Sequence, residues 1–132
     1  MGTVAELTAH LTEWARRPFR PGTADCAIFA ADWVVRRGRP DPMAGLRGAY
    51  RRIEDGMALL AERGGAGELE ELFADLAPVP GWMAAQPGDV AVVRDGDTLC
   101  CGIVGGEHVH VLAPGRGLDI VPLDRAERLW RP

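Results

Sequence analysis

The 132-residue sequence predicts an α+β domain in which helices come first and an antiparallel sheet follows. Three observations carry this. Apolar residues recur at helical spacing through the first half. One stretch there, CAIFAADWVV, is apolar almost all round, which marks a central helix buried against the sheet. From Gly81 onward, Gly and Pro punctuate short apolar runs, the signature of a tightly linked β-meander.

The elements follow in order. Thr3 and Glu6 fit a capping box, and Val4, Leu7, Leu11 and Trp14 then share one helical face. Pro18 and Pro21 bracket a short extended stretch. A second helix opens at about Asp25 or Cys26, with Asp25 as a natural N-cap. Arg36, Arg37 and Gly38 end it, with cations at the negative end and then a glycine. Asp41-Pro42 reads as the start of a third helix, DPMAGLRGAYRRI. GMALLAER and GELEELFADL are further helical stretches, separated by the break GGAG. The Pro/Gly-rich segment APVPGWMAAQPGD marks the seam between the halves. Four strands are then expected at DVAVV, LCCGIV, HVHVL and LDIVPL, with Asp95-Gly96 as the sharpest hairpin signal. A short helix, DRAERLW, is expected to close the chain.

Bulk composition excludes several function classes. The net charge is −4, and no Lys/Arg block forms the basic face that nucleic-acid binding needs; every basic residue is Arg. No apolar run is long enough to span a bilayer. The N-terminal MGTVAELTAHLTEW lacks the basic and apolar regions of a secretory signal, so a protein made in the cytoplasm is expected. Three cysteines, Cys26, Cys100 and Cys101, do not form a disulfide framework; reduced thiols are the default. Near half hydrophobic content gives a chain of this length a real core.

Chemistry centres on Cys26. The free N–H groups and dipole at a helix N-terminus favour a thiolate, and the same N–H groups can hold an oxyanion. Asp25 opposes this with its own negative charge. The other reading of Cys26 is a small core residue opening an apolar helix. A nucleophilic thiol needs a base. His10 falls among exposed positions of the first helix. His108 and His110 lie two apart on a strand and share a face; that face is either solvated or turned toward Cys26. Cysteine and histidine are also zinc-ligand types, but adjacent Cys100 and Cys101 do not have the spacing of a closed metal site, so no metal or other cofactor is expected. The acidic stretch Glu68, Glu70, Glu71 and Asp75 reads as a solvated helix face.

The order P-G-x-x-D-C-x-x-F opening a buried helix, then P-G-D-V-A-V-V, then G-I-V-G-G, resembles the NlpC-type branch of papain-like cysteine peptidases, which cleave peptide or amide bonds of bacterial peptidoglycan. More closely, the chain resembles a small NlpC-like family found among the tail genes of phages and prophages. The resemblance spans roughly Trp14 to Leu123. It implies a single papain-like (NlpC-like) domain over residues 1–132. Asp25-Cys26 then matches the nucleophile motif, Phe29 the packing aromatic, and Gly88-Asp89 the start of the first core strand. One match fails and another is weaker. Cys100 stands where the family has its general-base histidine, and His110 fills the place of the third residue, which orients the base, if the connecting turn is a little short. Phe19 is the nearest candidate for the aromatic that precedes the nucleophile.

A thiol at Cys100 is a poor base near pH 7, given a reference pKa of about 8.5. The resemblance therefore implies a structural or assembly role at a phage tail tip with a degenerate peptidase site. The expected partners are other tail proteins and the expected location is the host cytoplasm and then the virion tail. The alternative is an active hydrolase on peptidoglycan peptides, with Cys26 as nucleophile and His110, or else His108, as base. A third reading is a module that holds a peptide in the old cleft.

Overall fold

The computed structural model describes residues 2–63 and 69–132. The expected GGAG break and Glu68 lie outside the described residues. The architecture is α+β: three helices and a six-stranded antiparallel sheet. The helices are α1 (Thr3–Trp14), α2 (Cys26–Arg36) and α3 (Ile53–Ala61); the strands are β1 (Ala77–Val79), β2 (Val90–Asp95), β3 (Thr98–Val104), β4 (His108–Ala113), β5 (Gly117–Pro122) and β6 (Ala126–Arg131). The sheet order is β1-β6-β2-β3-β4-β5.

Helix α2 is central, as its composition predicts. Ile28, Phe29, Ala30, Ala31, Trp33 and Val34 are all 1% exposed or less, and the helix packs on β3 and β4. Burying a side chain such as Ile28 or Phe29 contributes roughly 1.5–3 kcal/mol. Asp25 caps the helix by accepting from the Ile28 N–H at 3.0 Å. Trp33 fastens the other end to the sheet, donating from Nε1 to the Gly88 carbonyl at 2.7 Å, just ahead of β2.

The meander β2-β3-β4-β5 forms where the sequence places it, and the β2–β3 hairpin turns over Gly96-Asp97, with Asp95 opposite Thr98. The sheet is covered on both faces. Val90, Val92, Cys101, Ile103, Leu112 and Trp130 face the helices. Ala91, Val93, Val104, Val109, Val111 and Leu129 build a second apolar layer on the far face.

Several expected elements differ. The capping box at Thr3 does not form: Gly2 is the N-cap, Thr3 lies inside the helix, and Glu6 reaches Arg37 at 3.2 Å instead. The buried stripe of α1 is Leu7, His10 and Trp14, while Val4 is 64% exposed. The expected third helix is a run of turns; Gly45 (φ +82°) and Gly48 (φ +71°) adopt the left-handed region and break it, so α3 starts only at Ile53. Of the last helical stretch, a 3-10 turn remains at Leu69–Phe73. The seam contains a strand, β1, paired with β6. The expected closing helix DRAERLW is a 3-10 turn, Leu123–Arg125, and then β6, which pairs with β2 through a register irregularity at Val92/Val93. Leu129 and Trp130 are adjacent and both buried because each enters a different layer, so the strand shows no clean alternation.

Candidate functional site

The site is built on the N-terminus of α2. Asp25, fully buried, accepts three hydrogen bonds. Two come from the backbone N–H groups of Ile28 (3.0 Å) and Gly22 (2.9 Å), and the third from the Tyr50 hydroxyl in a short contact. Tyr50 is the chain's single tyrosine. Burial, and then this bond to Asp25, push its hydroxyl far above the ordinary range, so it stays a proton donor. A Cβ added to Gly22 would meet the Tyr50 carbonyl oxygen at 2.1 Å, so the 20–25 loop and the Tyr50 segment fit only with glycine there.

Cys26 follows as the first residue of α2, half-buried. Its thiol hydrogen-bonds to the side chain of Cys101, a buried residue on the helix-facing side of β3. That bond holds the Cys26 thiol below the ordinary thiol range, helped by backbone bonds to Cys101 and Ala27; burial and the Asp25 charge act against it. Cys101 is pushed well above the range, first by donating to Cys26 and then by burial. Of the pair, Cys26 ionises first and Cys101 keeps its proton.

Cys26 borders a cleft of about 670 Å³. Its walls are aliphatic (Met43, Leu46, Met57, Leu60, Leu72 and Leu99) and its rim is polar, with Arg94 paired to Glu127 at 2.7 Å. The turns at 41–52 and helix α3 form one wall and the β2–β3 hairpin another.

The remaining residues singled out by sequence fall elsewhere. Cys100 alternates to the far face of the sheet, beside the second apolar layer, where burial pushes its thiol up to about 12. The resemblance puts the base position at Cys100; the residue facing Cys26 is Cys101. Strand alternation alone carries that signal, since Cys101 and Ile103 share a face. His110 and His108 are on the helix-facing side of β4, but His110 pairs with Ile103 and packs on Gly105, where an added Cβ would lie 2.2 Å from Nε2. Burial, and then the charge of His108, lower its pKa. Neither histidine lines the cleft. His108 is exposed. Phe19 packs against the edge of the helix-side core and does not line the cleft.

His10 is buried, contrary to the exposed position expected of it. It sits among the rings of Trp14, Phe29 and Trp33, its centroid 5.4 Å from that of Phe29. Arg36 Nε can only donate, so His10 Nδ1 accepts from it at 3.2 Å, and Nε2 carries the proton and donates to the Phe29 carbonyl at 3.0 Å. It is a structural residue tying α1 to α2. Of the acidic stretch, Asp75 is exposed, and Glu68 lies outside the described residues. Among the described residues no three His, Cys, Asp or Glu side chains are grouped to hold a metal ion, and no helix is long and apolar enough to cross a membrane.

A family model described as a domain of unknown function (DUF6950) matches residues 3–132. No curated protein matches the chain.

Proposed function

The chain belongs to the DUF6950 family, and we propose that it is a binding and assembly protein on an NlpC-like, papain-like fold whose cysteine site no longer turns substrate over. The observation that carries this is the surroundings of Cys26: it packs against the cluster that contains Cys101, and neither His108 nor His110 lines its cleft. A cysteine peptidase needs a base that takes the thiol proton and returns it to the leaving amine. Cys101, held protonated by its bond to Cys26 and by burial, can donate a hydrogen bond but cannot accept that proton. The cleft persists, lined by aliphatic side chains, and suits an apolar segment better than a charged stem peptide. In this reading the chain is a tail-tip component of a phage or prophage, and its partners are other tail proteins; the order DC, PGDVAVV, GIVGG supports it.

The alternative is a cysteine hydrolase of peptidoglycan peptides with Cys26 as nucleophile and His110 as base. The lowered Cys26 thiol at a helix N-terminus favours it. It requires the imidazole to leave Gly105 and reach Cys26.

Peptidoglycan and its soluble stem-peptide fragments, incubated with the wild-type protein and with Cys26→Ala, separate the two. No new amine from either protein is expected. Turnover that the wild type shows and Cys26→Ala lacks overturns the proposal. The chain is expected by mass spectrometry in particles of the prophage that encodes it, and its absence from complete tails removes the tail role.

A further inference from the structure

The pairing of two thiols at the cleft floor has a chemistry of its own. Cys26 borders the cleft and is half-buried, while Cys101 lies behind it, fully buried. Cys26 packs against the apolar cluster that contains Cys101, and Val92, which pairs with Cys101 across the β2–β3 hairpin, lines the same cleft as Cys26. A disulfide requires the two sulfurs to close to ~2.05 Å. Cys26 has open space on its cleft side in which to rotate. Cys100 is excluded as a partner because it points to the far face of the sheet.

We infer that Cys26 and Cys101 form a two-electron redox pair, which a hydroperoxide entering the cleft closes to an intramolecular disulfide. The Cys26 thiolate attacks the distal oxygen of the hydroperoxide. An S–O bond forms, the O–O bond breaks, and the leaving alkoxide or hydroxide takes up a proton as alcohol or water. Cys26 is now a sulfenic acid. The Cys101 sulfur attacks it, the S–S bond forms and the S–O bond breaks, and the departing hydroxide leaves as water with the Cys101 proton. In sum, two thiols and one hydroperoxide give one disulfide, one alcohol or water, and one water. The order of events follows from exposure: the cleft-facing sulfur meets the oxidant and the buried one resolves it. Cys26, the more acidic of the two, is also the better attacker. This chemistry does not rest on whether the cleft binds or cleaves a peptide.

The test uses the full chain, reduced and then freed of reductant. It is treated with hydrogen peroxide, denatured in N-ethylmaleimide and digested with trypsin. Pro18 and Pro21 block cleavage after Arg17 and Arg20, so Cys26 falls in the peptide 17–36, and Cys100 and Cys101 share 95–116. The two peptides are expected to appear joined, lighter than their sum by two hydrogens, and to separate on reduction. Cys100→Ser is expected to retain the link and Cys101→Ser to lose it. Should Cys101→Ser not fold, Cys26→Ser on the cleft wall is expected to lose the link and leave Cys101 unoxidised. The inference is overturned if wild-type Cys26 only accumulates oxygen without linking, if the link survives Cys101→Ser, or if it disappears in Cys100→Ser.

Discussion

Replacing Asp25 by Ala removes the acceptor of three buried donors at once. The N-cap bond to Ile28 is worth about 1 kcal/mol. Gly22 N–H and the Tyr50 hydroxyl are then left inside the protein without this partner, each at roughly 1–2 kcal/mol. Release of a buried carboxylate offsets part of this, so Asp25→Ala is expected to lose about 3 kcal/mol. Tyr50→Phe, which removes one donor and leaves the other two bonds, should lose about 1.5 kcal/mol. The diagnostic is the double variant. Once the hydroxyl is gone it can no longer be orphaned, so the double should cost at least ~1 kcal/mol less than the sum of the singles. Urea denaturation followed by tryptophan fluorescence measures all four proteins. An Asp25→Ala loss below about 1 kcal/mol, or strict additivity in the cycle, would refute the account of the network.

Other outcomes follow from the same geometry. The Cys26 thiol should alkylate with iodoacetamide measurably below pH 8, and Asp25→Asn, by removing an opposing negative charge, should speed that reaction at any given pH. His110→Ala should leave the profile unchanged; an upward shift would point to an imidazole partner and revive the hydrolase. His10, held neutral chiefly by burial, has a folded pKa below its unfolded value of about 6.5, so its contribution to stability is full above that pH and is lost as the pH falls toward the folded pKa. Relative to His10→Gln, which does not titrate, the wild type should lose up to ~1.4 kcal/mol per pH unit below about 6.5 in acid denaturation, and parallel curves would contradict this. Arg131→Met should cost about 2 kcal/mol by thermal or urea unfolding. It removes two bonds, at 2.8 and 2.9 Å, from the buried Asp89 carboxylate and leaves it the Gln86 N–H.

Local chemistry was legible where a single segment decides the outcome. The start, the cap and the burial of α2 follow from Asp25 and the apolar run behind it, and the meander follows from its turn residues. What depends on distant partners was not. β6 exists because β2, buried on both faces, pairs on each side, and nothing within DRAERLW announces β2. His10 reads as an exposed helix residue until the rings of α2 close over it. Tyr50 lies 25 residues from the carboxylate it completes, in turns that the sequence reads as a helix. Cys101 is within reach of the alternation rule, whereas the motif resemblance singles out its neighbour Cys100.

The Tyr50 hydroxyl ties a cleft wall to the cap of the helix that carries the thiol. Swinging that wall outward cannot be a free motion. It strips a donor from Asp25, loosens the first turn of α2 and unsettles Cys26 in the same event. Cleft opening and loss of a defined thiol geometry are therefore one cooperative fluctuation. Amide protons at the start of α2 should exchange at the rate of the wall, and an occupant that pins the wall should slow both together.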